Sequence, residues 1–517
     1  MPVLTGIDVL GIQRYVFASS RLRDALAASW LVHRATSGDG ELEQSGGDVV
    51  LDSGGNATII FPSEAPARDF AAKYTRRLHE SAPGLEVVVA HRSYAPGGLA
   101  EALGRLQIDL ACTKIERIPS APQLGLSVTA SCRITGLPAI GLDPQEPGLP
   151  LSRMVLRWRD SDVRRESLAQ RWDWFLPSLR ERDHEFPDVI DDMGRTFGDT
   201  SLIGIVHIDG NGIGQQIEEW RRRCVGSSLP DDAVHSELRD WSRRLDKAGR
   251  DVLKTVVERV RGAVQSDQNG PQMTGGVADL AFNLKRGQTG RILLPLRPVL
   301  LGGDDLTFLC DGRIALDLAE TALDAFSVEI PHLGRISACA GVALVPAHTP
   351  FDRAYELADA LCGSAKRRRR ERTDTGSWID WHIGAPHPGE GIGGLRARSY
   401  QHRSKLQLTC RPYRLGAKAG ERETWRWLSQ TVLGTTSNGF RGELWSQHRN
   451  KLKSLAQIVR EGPDGVKRAR STWTAAAGLT WPEDLGDTGF FDGIRTPLLD
   501  AAELLDLHLP LARESSP

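Results

Sequence analysis

The sequence predicts an α+β fold: two ferredoxin-like (βαββαβ) units in tandem, followed by a helical C-terminal region. Three observations lead there. Between residues 201 and 383, strand-like apolar runs and amphipathic helical runs alternate in the order βαββαβ. The first 130 residues repeat that order, and the two halves share local sequence: IDVLGIQRYV (7–16) resembles IDGNGIGQQI (208–217), and GGNATIIF (54–61) resembles GGDDLTFL (302–309). The second hairpin carries two adjacent carboxylates, Asp304 and Asp305, where the first copy has Asn56 and Ala57. The expected division is a first unit over 1–130, a linker over 131–200, a second unit over 201–390 and a mostly helical region over 391–517.

In the first unit VLTGIDV reads as a strand and IQRYVFASSRLRDALAASWLVHRA as one long helix. DVVLDSGGNATIIFP is a hairpin around a Gly-Gly turn, PARDFAAKYTRRLHES a helix, LEVVVAHRSY a strand and GGLAEALGRLQIDLACTK a helix. The linker GLPAIGLDPQEPGLP is rich in Pro and Gly, and a charged helical stretch follows it. In the second unit SLIGIVHI (201–208) is a short apolar strand, then comes a helical stretch with a Gly/Gln-rich interruption, QSDQNGPQMTGG (265–276). RILLPLRPVLL (291–301), the GGDD turn and LTFLC (306–310) form strand, turn and strand. IALDLAETALDAF (314–326) places Leu316, Ala319, Leu323 and Phe326 on one helix face. RISACAGVALV (335–345) is a strand, PFDRAYELADALCGSAK (350–366) a helix with Pro near its start, and SWIDWHI (377–383) a closing strand. The terminal RESSP is expected to fray.

A chain of 517 residues exceeds one ordinary core, so two to four domains are expected. A hydrophobic share of 40% and a charged share of 25% fit a soluble globular protein. The net charge of −1 gives no overall field for nucleic acid or an anionic membrane, so any basic surface is local. No apolar run approaches the roughly 18 residues of a membrane span, and the N-terminus lacks the basic-then-apolar pattern of a signal peptide. Seven cysteines without a CxxC pair point to reduced thiols in the cytoplasm.

Two neighbouring carboxylates repel each other unless a cation is shared. In a βαββαβ sheet the first strand and the returning hairpin strand are central neighbours, which brings Asp209 close to Asp304 and Asp305. Three carboxylates suit a pair of Mg²⁺ or Mn²⁺ ions, and the implied reaction is two-metal phosphoryl or nucleotidyl transfer on a nucleoside triphosphate. Gly210-Asn211-Gly212-Ile213-Gly214 leads into a helix, where backbone N–H groups and the helix N-terminus can cradle a triphosphate. No GK[ST] follows, so this is not a Walker A loop. Lys366 is expected to end its helix close to the sheet and contact phosphate, with Arg367 to Arg370 and Arg372 as a solvated basic loop beyond it.

Other residues read as structural. His207 is expected on the opposite side of its strand from Asp209, as a packed histidine. Cys132, alone in CRITGLPA, does not make a zinc site. Cys339 reads as strand packing. Trp425, Trp427 and Trp445, with Arg441, Lys451 and Lys453, read as an amphipathic packing region with a basic face more than as a nucleic-acid surface.

With these motifs in hand, residues 1–390 resemble the CRISPR polymerase family, the large GGDD-bearing subunit of type III CRISPR effector complexes. GIQRYVFASSRLRDALAAS (11–29) resembles the start of that family's first palm domain, HIDGNGIG (207–214) its first metal motif, and RPVLLGGDDLTFL (297–309) its hairpin. ISACAGVALV (336–345) and the Ala365-Lys366 pair resemble later palm motifs, and CRITGLPA (132–139) a remnant of the zinc knuckle between palms. The resemblance implies a degenerate N-terminal palm, a GGDD palm, and synthesis of cyclic oligoadenylates from ATP as antiviral second messengers. It implies that Asp209, Asp304 and Asp305, with the Gly210 carbonyl, hold the metals. Gly212, Ile213, Gly214 and Lys366 would hold phosphates, Gly302, Gly303 and Ser337 would lie at the nucleotide, and Gly54, Gly55 and Asn56 would seat the acceptor. It also implies effector subunits and guide or target RNA as partners, with a stand-alone relative or a homodimer as the alternative.

Three departures qualify the resemblance. The chain contains no His-Asp dipeptide, so the HD nuclease of many members, and DNA cleavage, are not expected. The knuckle lacks its partner cysteines, so zinc is not expected. Asn211 stands where a second acid often does.

Two other readings compete. GGDEF diguanylate cyclases share a similar turn, but the asparagine that reads guanine there corresponds to Ile217, and Arg297 is followed at the fourth place by Leu300 instead of the aspartate of an RxxD motif. A catalytically silent scaffold subunit is the other.

Overall fold

The computed structural model describes the chain except residues 119–127, 170–178, 180–182, 195–201, 269, 332–333, 388, 402–405, 419, 437 and 513–517. The terminal RESSP and part of the charged stretch before residue 200 lie outside the described residues.

The first unit consists of β1 (Val3–Leu10), α1 (Ile12–Val16), α2 (Leu22–Thr36), β2 (Asp48–Ser53), β3 (Asn56–Phe61), α3 (Glu64–Ser81), β4 (Glu86–Ser93) and α4 (Leu99–Glu116). Its sheet has the order β2-β3-β1-β4. The second unit runs through β5 (Leu202–Gly210), α5 (Ile213–Gly226), α6 (Asp231–Gly262), β6 (Leu296–Leu301), β7 (Asp305–Asp311), α7 (Ala315–Ala325), β8 (Ala338–Pro346), α8 (Phe351–Glu371) and β9 (Trp378–Ile383). Its sheet order is β6-β7-β5-β8-β9, continued by β10 (Tyr413–Arg414) from the mostly helical C-terminal region. The first four positions of the second sheet therefore repeat the order of the first. Every strand adjacent to β5 or β1 in these two sheets is antiparallel to it.

Strand alternation splits β5 between two cores. Val206 and Ile208 belong to the core that also holds the apolar stripe of α6 and the C-terminal tryptophans; Ile203 and Ile205 belong to the core that also holds buried residues of α8 and of α2 in the first unit. Trp425, Trp427 and Trp445 are fully buried, and Arg441 donates to the carbonyls of Leu504, Leu505 and His508, which supports the packing reading of that region. No helix among the described residues is long and apolar enough to cross a membrane.

Five sequence expectations need correction. The single helix over 12–35 is two helices, because Ser19 accepts from the Arg21 N–H and donates to Asp24, a local side-chain network that competes with the helical ladder. The Gly/Gln-rich interruption is a small three-stranded sheet of Val264–Asp267, Gly270–Met273 and Phe282–Asn283. The strand over 291–301 breaks at Pro295, which has no N–H for a ladder, into Ile292–Leu293 and β6. The strand over 335–345 breaks at Ser337, whose carbonyl accepts from the Asn211 N–H. Finally, α8 does not end at Lys366 but continues through the arginines to Glu371, where cationic side chains complement the helix C-terminus and Arg368 pairs with Glu371. Lys366 is thus a helical side chain held by turns on both sides.

Candidate active site

The site begins with strand register. Antiparallel pairing of β7 with β5 sets Asp305 directly opposite Asp209, and β8 places Cys339 on the other side of Asp209. The Gly302 N–H donates to the Asp305 carbonyl and the Gly210 N–H to the Asp304 carbonyl, which closes the turn and ties it to the end of β5. Gly303 adopts φ 81°, a left-handed conformation that favours glycine. At Gly210 a Cβ would stand 3.0 Å from the Cβ of Asp304, so the absence of a side chain lets Asp304 approach this strand.

The same register relates the two copies differently from the sequence alignment. In the first unit Asn56 pairs with Asp8, so Asn56 is the positional counterpart of Asp305. The two turns have the same length: Asp52 pairs with Ala57 and Leu301 with Leu306, each across four residues. Asp304 is then the positional counterpart of Gly55, so the first copy has a glycine where the second has its turn acid. The first unit keeps an acid–lysine pair, Asp8 with Lys114 of α4, matching Asp209 with Lys366 of α8.

The carboxylates strain against one another. Burial, reinforced by the charges of Asp209 and Asp305, pushes the Asp304 carboxyl up to about 7. Burial also raises Asp305, opposed by the neighbouring His207. The buried Oδ1 of Asp305 accepts no hydrogen bond and lies 3.4 Å from His207 Nδ1. Lys366 Nζ stands 2.5 Å from Asp209 Oδ2 and donates to the Gly210 carbonyl at 2.9 Å. With Asp209 drawn to Lys366 and Asp305 to His207, no three His, Cys, Asp or Glu side chains among the described residues converge where a metal ion would sit. The donor set nevertheless suits a hard divalent cation: three adjacent acids on paired strand ends, one of them held up by its neighbours' charge.

A cavity of about 850 Å³ opens between the two units. Gly54, Gly55 and Asn56 line it from one side, and Ile213, Gly214, Gly302, Asp304 and Asp305 from the other. Its apolar wall includes Ile217, Trp220 and Trp241. Asp209, Gly210, Gly212, Gly303, Ser337 and Lys366 do not line it. Gly212, at φ 70°, caps α5. Gly303 backs onto α6, where a Cβ on Gly249 would stand 2.3 Å from the Gly303 carbonyl oxygen. Ser337 is buried, accepts from the Asn211 side-chain amide at 3.0 Å and donates to the Thr375 carbonyl at 2.9 Å. Asn211 therefore braces β8 at the place where a second acid was considered.

His207 lies on the same side of β5 as Asp209, contrary to expectation, because residues two apart on a strand share a face. It is buried and packed, with Nδ1 3.1 Å from Thr307 Oγ1 and Nε2 3.6 Å from Asp359 Oδ1. Asp359 was missed altogether, although its spacing of seven from Lys366 puts both on one helix face. Gly249 and the cavity tryptophans carried no sequence signal. Cys339 is fully buried, as the packing reading has it. Cys132 sits in a tight turn, its N–H bonded to the Leu137 carbonyl and its carbonyl to the Gly136 N–H. Burial works against its thiolate, but hydrogen bonds from Thr135, Ser152 and Ile134 outweigh burial and bring the thiol down to about 7.

No family model and no curated protein matches the chain. Solved structures do. A Csm1–Csm4 cassette in complex with one ATP aligns over 99% of this chain and 70% of its own, with TM-score 0.54 at 14% identity. The fold is that of Csm1. The cassette in complex with cA4 aligns over 98% of this chain and 70% of its own, with TM-score 0.52 at 14% identity. Csm1 from T. onnurineus gives 98%, 70%, 0.53 and 15% for the same measures. Csm1 belongs to the type III CRISPR Csm complexes, so the fold neighbours are those named by the sequence resemblance. At these identities the likeness to Csm1 is one of fold.

Proposed function

We propose that the protein is a palm-type nucleotidyltransferase that joins ATP into cyclic oligoadenylate-type second messengers of CRISPR-type antiviral defence. The two βαββαβ units are its palm domains, the first degenerate and the second active. The observation that carries this reading is the β5–β7 register: Asp209 opposite Asp305, with Asp304 in the adjoining turn, beside a cavity walled on its far side by the other unit's Gly54-Gly55-Asn56 hairpin. The fold likeness to Csm1, solved with ATP and with cA4, supports it.

Asp209, Asp304, Asp305 and the Gly210 carbonyl would hold the Mg²⁺ or Mn²⁺ ions, which activate an attacking hydroxyl and offset charge on the triphosphate and pyrophosphate. Gly212, Ile213 and Gly214 offer the N-terminal N–H groups of α5 to the phosphates. Lys366 supplies a point charge beside them. Gly302 and Gly303 let the hairpin lie flat against the nucleotide, and Ser337 stands behind Asn211 at its edge. Gly54, Gly55 and Asn56 seat the acceptor nucleotide so that its hydroxyl faces the α-phosphate. The apolar wall excludes water, which would otherwise compete as nucleophile. In the cell the protein would act with a Csm4-like effector subunit and guide or target RNA.

The deciding experiment is incubation with each labelled NTP and Mg²⁺ or Mn²⁺, with and without RNA, followed by mass spectrometry. Phosphodiester products from ATP are expected, and Asp304→Ala with Asp305→Ala abolishes them. A cyclic dinucleotide from GTP alone would favour the diguanylate cyclase. The silent-scaffold reading draws on one observation, the divergence of Asp209 and Asp305 towards Lys366 and His207, and it prevails if no NTP reacts under any activator.

A further inference from the structure

His207 sits between two carboxylates on different elements. Its Nδ1 approaches Asp305 Oδ1 of β7 at 3.4 Å, and its Nε2 approaches Asp359 Oδ1 of α8 at 3.6 Å. Its side chain is 4% exposed, while that of Asp359 is 64% exposed. The ring cannot tilt freely. Tyr355 packs edge-on against it, with centroids 5.3 Å apart, and Tyr355 is itself stacked on Phe17 of the first unit at 4.7 Å. A carboxylate that binds a cation through one oxygen needs a donor to fix the other, or the side chain rotates among several poses. Asp305 Oδ1 is buried, accepts no hydrogen bond, and has the His207 nitrogen as its neighbour.

We propose that His207, braced by Asp359, is a positioning residue that turns the Asp305 carboxylate for a divalent cation. The inference rests on the metal-dependent reading above and adds to it two residues outside the acid cluster. Nδ1, which also lies 3.1 Å from Thr307 Oγ1, stands 3.4 Å from Asp305 Oδ1 and keeps that oxygen on the histidine side, leaving the second oxygen to the cation. Asp359 Oδ1 faces the opposite ring nitrogen at 3.6 Å, on the far side of the ring from Asp305. The Phe17–Tyr355 stack carries the packing of the first unit to the same ring, so the seating of one unit on the other bears on the orientation of an acid in the second.

The test is Mn²⁺ binding without turnover, followed by electron paramagnetic resonance in the full-length chain. His207→Ala is expected to weaken Mn²⁺ binding about 10-fold, the lower end of what loss of an outer-sphere partner costs. His207→Gln, whose amide can still donate, recovers most of that affinity, and Asp359→Ala loses a few-fold. Asp359 is a surface side chain, so its variant keeps the test informative if His207→Ala does not fold. Mn²⁺ affinities within two-fold of the parent for Asp359→Ala and for every folded His207 variant would overturn the inference while leaving the metal reading intact. A parent chain that binds no Mn²⁺, with or without a non-hydrolysable ATP analogue, overturns the metal reading itself.

Discussion

Gly54 and Gly302 meet backbone to backbone across the two units: a Cβ on Gly302 would stand 2.9 Å from the Gly54 Cα, and one on Gly54 would stand 3.0 Å from the Gly302 oxygen. The tips of the two hairpins are therefore in contact at the cavity. Gly302→Ala forces backbone away from backbone and is expected to cost about 1–3 kcal/mol, the usual range for overpacking. Gly214→Ala is the control, because a Cβ there meets nothing within 4 Å. Thermal unfolding should show a lower midpoint for the first variant and none of that loss for the second. Equal midpoints would mean that the hairpin tips yield without cost.

Lys366 separates a stability role from a chemical one. Its ion pair with Asp209 is partly exposed, with side-chain exposures of 24% and 40%, so its net worth to folding is about 0–1 kcal/mol. A cation beside a developing phosphoryl charge is worth far more, on the order of a 10²–10³-fold rate effect for one lost contact. Lys366→Met is therefore expected to leave the unfolding midpoint nearly unchanged while product formation from ATP falls by about that factor. A large stability loss with unchanged rate would reverse the assignment.

Asp304 makes the metal-free protein sensitive to pH. Its folded carboxyl is raised to about 7 from an ordinary value of 3.8, because burial and the Asp209 and Asp305 charges disfavour its anion. Between those two pH values the folded state holds the extra proton, so stability falls as pH rises from about 4 to about 7 and the loss is complete above that. The raised Asp305 carboxyl adds in the same direction. Urea unfolding in EDTA at pH 5 and pH 7.5 should show this decline, and Asp304→Asn should flatten it. A parent chain that gains stability relative to the Asn variant over that interval contradicts the assignment.

The acids were legible because two rules act together: a strand end followed by glycines, and a Gly-Gly turn whose partner strand is fixed by the βαββαβ order. Those rules brought Asp209 and Asp305 to adjacent strands without any knowledge of side-chain packing. The same local sequence aligns Asn56 with Asp304, and strand register moves that equivalence by one residue to Asp305, because backbone pairing and not the Gly-Gly letters fixes which residues face each other. His207 shares the face of Asp209 because the strand period is two. The arginine run passed for a loop because charge density hides helix propensity, although Arg and Lys are good helix formers. Asp359, Trp220 and Trp241 acquire meaning only when helices from distant parts of the chain are laid against the sheet.

Gly249 shows how far tertiary contact can override local preference. It lies in the middle of the 32-residue helix α6, where replacing Gly by Ala ordinarily gains about 1 kcal/mol. Here a Cβ would stand 2.3 Å from the Gly303 carbonyl oxygen and 3.1 Å from its carbon. Neither partner is a flexible side-chain end: one is helix backbone, the other the turn that carries Asp304. The turn has little room to retreat, because Gly303 is already left-handed and Gly302 presses on Gly54. The clash should win, and Gly249→Ala is expected to destabilise the protein by about 1–3 kcal/mol, the overpacking range, against the propensity gain. It should also lower product formation by displacing Asp304, with a larger fractional effect on turnover than on ATP affinity. A raised unfolding midpoint with full activity would show that α6 slides away from the turn, and that the turn is held by its own strands alone.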